Sequence, residues 1–187
     1  MKPVVVVEKI LDTADRLFYE QGFNLTGINQ IIEEAGISKP SLYNHFRSKD
    51  ALLLAYLDRL STSWFAGLDA FSKNFKSPVD KVIALFDYRI NRQIKTQYKG
   101  CAWNKIVNEV APEELEVFER VSKFREDLKT CVTNLVRELN RPKDKLLNDK
   151  ELVEVILSEL ESGVMMAHVT KSHSSLEKGK NIVRKLL

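Results

Sequence analysis

Apolar side chains recur every three or four residues along most of this 187-residue chain, with short polar connectors between the periodic segments. This is the period of amphipathic helices. The first stripe consists of Val7, Ile10, Leu11, Ala14, Leu17 and Phe18. With only 7 Gly and 5 Pro there are few places for the tight turns that strands require. The pattern predicts an all-α fold of about nine helices.

Two short helices are predicted after the first one. Thr26, give or take one residue, caps the second helix, and Gly36 ends it. Ser38 caps a third helix over Lys39–Phe46, three residues beyond that end. Two short helices joined by a Gly-containing turn, after an amphipathic helix, are typical of a helix-turn-helix. We therefore predict an N-terminal three-helix bundle over residues 1–48.

Longer helices are predicted over residues 49–187, which form a second, larger domain. A fourth helix runs from about Lys49 to Phe75, and Ser77 with Pro78 starts a fifth. The remaining helices cover about 101–110, 112–139, 149–169 and the segment after Ser175. The stripe of the seventh helix is predicted as Leu115, Phe118, Val121, Leu128, Val132, Leu135 and Leu139.

Composition and charge indicate the cellular compartment of the protein more clearly than its function. A net charge of +3, from 29 basic and 26 acidic side chains, is too small to imply a polyanionic partner. Cys101 and Cys131 match no metal-ligand spacing and no secreted disulfide framework. Glu8 and Lys9 interrupt the opening Val run, and no apolar stretch approaches the roughly 18 residues of a membrane span. We expect a cytoplasmic protein without membrane contact, metal or cofactor.

Charge is clustered only around the third helix. Lys39, His45, Arg47 and Lys49 lie between positions 37 and 49, which contain no acidic residue. Lys39 and Lys49 fall at predicted helix starts, where the helix dipole disfavours a cation by about 0.3 to 1 kcal/mol. A phosphate bound at such a helix start would make the interaction favourable, because the anion attracts both the lysine and the helix dipole. The alternative is that these are exposed lysines without a function, which are common at helix starts.

The third helix has one apolar face and one polar face. Leu42 and Phe46 are one turn apart and should pack inward. Pro40, Ser41, Tyr43 and Asn44 then point away from the core. A short face that can form hydrogen bonds suits insertion into the major groove of DNA.

The segment Thr26–Leu53 reads TGINQIIEEAGISKPSLYNHFRSKDALL and follows the helical pattern ILDTADRLF. It resembles the N-terminal signature of TetR-type regulators. The resemblance implies phosphate contacts from Thr26, Tyr43, His45 and Lys49, and base contacts from the start of the third helix. Gly27 departs from the small hydroxyl residue usual there. The implied DNA-binding set is Thr26, Gly27, Asn29, Lys39, Pro40, Ser41, Tyr43, Asn44, His45 and Lys49.

The same resemblance implies a repressor that a small-molecule inducer releases from a palindromic double-stranded operator. Apolar and soft side chains of the later helices could line the inducer pocket, or could be ordinary core: Trp64, Phe65, Phe86, Cys101, Trp103, Phe118 and Met165. Arg89, Arg92, Asn104 and Lys105 could recognise an acidic ligand, or could form a solvated helix face. Redox sensing by Cys101 without an inducer is an alternative.

The last two helices are predicted to form a homodimer through a four-helix bundle. The interface would contain Val155, Ile156, Leu160, Gly163, Val164, Ala167, Ile182, Val183 and Leu186. Gly163 and Ala167 lie one turn apart and would allow close helix approach. Burial of the same stripes within one chain is the alternative, and His168 and His173 are interpreted as structural rather than metal-binding.

Two other classes of protein receive less support. A helical enzyme would need a catalytic motif, and the sequence contains no HExxH, Gly-rich phosphate loop or nucleophile elbow. We therefore expect no enzymatic activity. A helical small-molecule carrier without DNA binding would have an uncharged or acidic third helix, unlike the segment from Lys39 to Lys49.

Overall fold

The computed structural model describes residues 3–142 and 145–187, and within them it contains nine helices and no strand. The helices are α1 (Pro3–Glu20), α2 (Ile28–Ala35), α3 (Lys39–His45), α4 (Lys49–Ser72), α5 (Pro78–Lys95), α6 (Ala102–Glu109), α7 (Leu115–Glu138), α8 (Asp149–Thr170) and α9 (Ser174–Leu186). The predicted all-α class is confirmed. Among these helices, none combines the length and apolarity needed to cross a membrane.

Local capping explains several of these boundaries. The Ser38 hydroxyl accepts a hydrogen bond from the Ser41 N–H at 3.2 Å and fixes the start of α3. Asn148 and Glu151 form a reciprocal capping box at the start of α8. Gly36 ends α2 at a φ of 63°, a left-handed conformation that glycine adopts without strain. The cap of α2 is Gly27 itself, one residue after the predicted Thr26.

The chain divides into two compact units. The first unit contains the residues up to Ser63 together with Ala102–Ser122, and the second contains Trp64–Cys101 together with Lys123–Leu187. The boundaries of these two packing units differ from those of the predicted functional domains, residues 1–48 and 49–187. The functional division stays a prediction. Met1, Lys2, Lys143 and Asp144 lie outside the described residues.

An aromatic cluster anchors the core of the first unit. Phe18 of α1 contacts Phe23 and Tyr56 edge-on, with ring centroids 5.3 and 5.5 Å apart. Ile31 of α2 and Leu42 of α3 are fully buried. The three N-terminal helices and the first half of α4 therefore share one apolar core, which holds α3 in place.

In the second unit, α5, α8 and α9 pack against one another. The close approach of α8 and α9 depends on Gly163, where an added Cβ would lie 2.6 Å from Leu176 Cδ2. The predicted stripe of helix α7 is confirmed at Leu128 and Val132 and is wrong at the start of the helix. Leu115 is exposed, and the buried residues of α7 are Val117, Phe124, Leu128, Val132 and Val136.

Candidate nucleic-acid interface

Helix α3 is held by its apolar face and presents its polar face outward. Leu42 is fully buried and Phe46 is 8% exposed, because both pack into the core of the first unit. Ser41 is half-buried. The exposed residues of this segment are Lys39, Pro40, Tyr43, Asn44, His45 and Arg47. The outward face predicted from helical periodicity is therefore present, and it contains three cations or potential cations and no acid.

The start of α2 has no side-chain cap. Gly27 precedes it in an extended conformation, and no side chain accepts a hydrogen bond from its first N–H groups. A Cβ added at Gly27 would meet no atom within 4 Å, so steric crowding does not require glycine there. Asn29 is exposed in the first turn of the same helix. The first turn of α2 can therefore offer backbone N–H groups to an anion.

Thr26 has a structural role instead of the predicted phosphate contact. Its side chain is fully buried, and its hydroxyl donates to the Gly22 carbonyl oxygen at 2.6 Å. The same hydroxyl oxygen accepts a hydrogen bond from Gln21 Nε2 at 3.2 Å. A buried hydroxyl with both partners inside the protein cannot reach a phosphate, so Thr26 is removed from the proposed interface.

Lys49 begins α4 and lies partly inside the first unit. Its ammonium nitrogen is 4.1 Å from the centroid of the Phe23 ring, a cation–π contact. Partial burial lowers the pKa of Lys49, and the carboxylates of Asp50 and Glu109 oppose that shift. The side chain is half-buried, so it is less free to reach a phosphate than an exposed lysine.

Glu109, at the end of α6, is a residue that the sequence reasoning missed. Its carboxylate accepts a hydrogen bond from the Asn24 N–H at 2.8 Å, and its carbonyl oxygen accepts one from Asn24 Nδ2 at 2.7 Å. Gly22 has a φ of 100°, and a Cβ there would lie 2.7 Å from Glu109 Oε1. These contacts fix the turn between α1 and α2. No local pattern indicates them, because 85 residues separate the partners.

The residues predicted to line a ligand pocket are dispersed. In the second unit, Trp64 contacts Phe65 at 4.8 Å between ring centroids, and both belong to an aromatic cluster with Tyr88 and Phe124. Phe86 and Cys101 are buried in the same unit, whereas Trp103 and Phe118 belong to the first unit. Met165 is 58% exposed, so it is not a pocket residue in this conformation.

In the second unit, a buried charged residue indicates a ligand site more clearly than the aromatic residues do. Arg89 of α5 is only 4% exposed, and its guanidinium lies over the Trp64 ring. Burial lowers the pKa of Arg89, and Glu161 opposes that shift. Arg89 and the buried Gln93 lie in register with Val82 and Phe86 on the buried face of α5. A charged residue at the helical spacing of an apolar stripe is therefore visible in the sequence alone, and it indicates a buried charge.

Most residues predicted for the dimer interface are instead buried within one chain. Ile156, Leu160, Gly163, Val164, Ala167 and Val183 are all inaccessible, because α8 packs against α9 and α5. Gly163 serves that internal crossing through its contact with Leu176. Val155 and Leu186 are half-buried, and Ile182 is 46% exposed. The alternative of intramolecular burial therefore accounts for six of the nine residues.

A different face of α8 exposes apolar side chains. Met165 and Val169 are 58% and 69% exposed, and Met166 is 36% exposed. Val155, Ser158, Ser162, Met165 and Val169 follow one another at helical spacing along this face. His168 and His173 are not part of this face, because the side chains of both form hydrogen bonds with Tyr98. Within the described part of the chain, no group of three potential metal-ligating side chains occurs.

The two short helices α2 and α3 and the turn between them have the arrangement of a helix-turn-helix. Residues 10–56 match the family model described as bacterial regulatory proteins, tetR family. A helix-turn-helix regulator encoded in the lacX 3' region of Lactococcus lactis subsp. lactis is 24% identical over 95% of this chain and 90% of that protein. The regulator RutR of Escherichia coli K12 is 42% identical over 66 residues, which are 35% of this chain and 31% of RutR.

Whole-chain similarity appears in solved structures. A TetR transcriptional regulator from Chloroflexus aurantiacus J-10-FL superposes with a TM-score of 0.85 and 23% identity, over 98% of this chain and 94% of that one. Residues 10–56 are thus similar to the DNA-binding domain of the tetR family, and the chain as a whole has the fold of the Chloroflexus regulator.

Proposed function

We propose that this protein is a cytoplasmic, dimeric repressor that leaves a palindromic operator when a small molecule binds its second unit. The observation that carries the DNA-binding part is the exposed polar face of α3, flanked by Lys39, His45 and Arg47 without an acidic residue. Direct readout needs such a helix in the major groove, and the flanking cations serve the phosphates.

Roles within this surface follow from exposure. Lys39, Pro40 and Ser41 open α3, the end of a recognition helix that faces base edges, and Asn29 and Asn44 extend the same polar surface. Tyr43 and His45 are exposed on α3 and suit phosphate contacts. Gly27 can contribute only its backbone. Lys49 would reach a phosphate by leaving the Phe23 ring.

Dimerisation is supported by the exposed apolar face of α8. Monomeric proteins rarely expose a row of apolar side chains such as Met165 and Val169, and two-fold pairing would bury them. Two copies related by a two-fold axis read two half-sites of a palindrome, with centres roughly 34 to 36 Å apart. The half-buried Val155 and the exposed Ile182 retain a place in this interface.

Ligand control needs only that the ligand binds one arrangement of the dimer more tightly than the other. Helix α4 contributes residues to both units, so a ligand that moves its C-terminal part can change the distance between two recognition helices. The polar groups around Arg89 support a ligand site in the second unit. Cys101 is only 8% exposed, which does not favour the redox alternative.

Selection of bound sequences from random double-stranded DNA tests this function. We expect an enriched palindrome, and Lys39→Ala should weaken binding and lower the slope of log affinity against log salt by about one unit. Lys95→Ala is a matched control, because Lys95 is an exposed cation of α5 in the second unit. Failure to enrich any palindrome, or equal effects of the two substitutions, would contradict the proposal.

A further inference from the structure

The interior of the second unit contains polar groups without hydrogen-bond partners. Arg89 Nε, Trp64 Nε1 and Gln93 Oε1 are buried and have no partner among the described residues. The three side chains are 4%, 1% and 3% exposed. A buried polar group without a hydrogen-bond partner destabilises the folded protein, and more so when it is charged. Arg141 Nε is a fourth such atom of the second unit, but the first three form a group, because the Arg89 guanidinium lies over the Trp64 ring and Gln93 follows one turn later on α5. A group of three indicates a further hydrogen-bonding partner in the functional state.

Arg89 is also incompletely neutralised. Its nearest carboxylate is Glu161, whose Oε1 lies 3.3 Å from Arg89 Nη2. The same oxygen forms an ion pair with Arg125 of α7. One carboxylate therefore serves two guanidiniums, whereas Arg141, whose side chain is also 4% exposed, pairs with Asp149.

A surface cleft of about 210 Å³ between α7 and α8 is lined by Arg125 and Glu161, and Glu161 is also the ion-pair partner of Arg89. Arg125 and Glu161 form its rim, and the side chains of Leu128 and Leu157 contribute an aliphatic wall. Glu161 thus stands between the cleft and the buried Arg89. The cleft is smaller than the roughly 300 to 1,000 Å³ of most ligand sites, which restricts the ligand to a small molecule. The aliphatic wall and Arg125 suit a molecule with an apolar body and an anionic end.

We propose that the ligand of this regulator is a small organic monocarboxylate that binds in the α7–α8 cleft and displaces Glu161 from Arg125 and Arg89. Its two carboxylate oxygens match the planar, forked donors of a guanidinium, including the unsatisfied Arg89 Nε. This inference rests on the proposed ligand control and names the chemical class of the inducer. It also gives Glu161 a role as an internal competitor for the same arginines.

Thermal unfolding of the full-length protein with benzoate and hexanoate tests the proposal directly. Both acids should raise the melting temperature, whereas benzamide, hexanamide and inorganic phosphate should not. Arg89→Met should weaken carboxylate affinity at least about tenfold. Arg141→Met is a matched control, because Arg141 is equally buried and its Nε also lacks a partner.

Glu161→Gln separates a binding role from a structural one. Removal of the competing carboxylate should strengthen benzoate or hexanoate binding, which loss of a merely structural ion pair would not do. It also keeps the test valid if Arg89→Met fails to fold. The proposal is overturned if neither acid binds, if the amides or phosphate bind equally well, or if Glu161→Gln weakens acid binding. Operator binding, measured separately without ligand, distinguishes these failures from failure of the proposed function.

Discussion

The ammonium of Lys49 lies against the Phe23 ring, and partial burial lowers its pKa. A phosphate contact requires the charged form, so DNA binding should raise this pKa again. The contribution of Lys49 to affinity should therefore fall as the pH rises through the lowered pKa, in a window that begins below the usual lysine range.

Binding of the selected operator, measured by fluorescence anisotropy across that window, checks the prediction. Lys49→Arg keeps its charge throughout and should give a flatter profile than the natural chain. Identical profiles for the two proteins would remove Lys49 from the DNA interface.

Thr26 offers the opposite case, a residue expected to matter for folding and not for DNA. Thr26→Val keeps the shape but leaves the Gly22 carbonyl oxygen without its hydroxyl donor. We expect a loss of about 1 to 3 kcal/mol in the free energy of unfolding. The salt dependence of operator binding at a temperature where the protein is folded should not change. A lower salt slope would restore Thr26 as a phosphate contact.

At the scale of elements, helix boundaries are largely predictable because they depend on local chemistry. Ser38 and Gly36 act within one turn of their own positions, so a single sequence reveals them. The phase of α7 was not predictable in the same way. Leu115 and Val117 both start plausible stripes, and only packing selects the one that contains Val117 and Phe124. Local periodicity indicates that a face is buried but does not name what covers it.

The crossing of α8 and α9 yields a prediction at this scale. Gly163→Val places side-chain atoms where Leu176 Cδ2, Cγ and the backbone Cα already lie within 3.3 Å of an added Cβ. Overpacking of this kind costs about 1 to 3 kcal/mol. Gly179→Val is the matched control, because the one atom within 3.0 Å of an added Cβ there is the flexible end of the Glu159 side chain. Urea denaturation should show a larger loss of stability for Gly163→Val, and equal losses would refute a tight crossing.

At the scale of the whole molecule, the candidate sites differed in how far the sequence could locate them. The proposed DNA-binding face follows from the periodicity of α3, since Leu42 and Phe46 fix which side is buried. The polar group around Arg89 depends on Glu161, 72 residues away, and a charged side chain on a helix is ordinarily assigned to solvent. From the sequence, Arg89 is a candidate for recognising an acidic ligand, and its register with Val82 and Phe86 supports burial over the alternative of a solvated face.

The exposed apolar face of α8 allows a test of the proposed dimer. Met165→Glu with Val169→Glu should convert the proposed dimer, at twice 21.5 kDa, into a monomer by placing like charges on both sides of the proposed two-fold contact. Ile94→Glu is the control, because Ile94 is 47% exposed on α5 of the same unit. Light scattering at micromolar concentration measures the mass, and operator affinity should fall with the dimer because each monomer keeps only one half-site contact. A double variant that remains dimeric would place the interface elsewhere than on this face of α8.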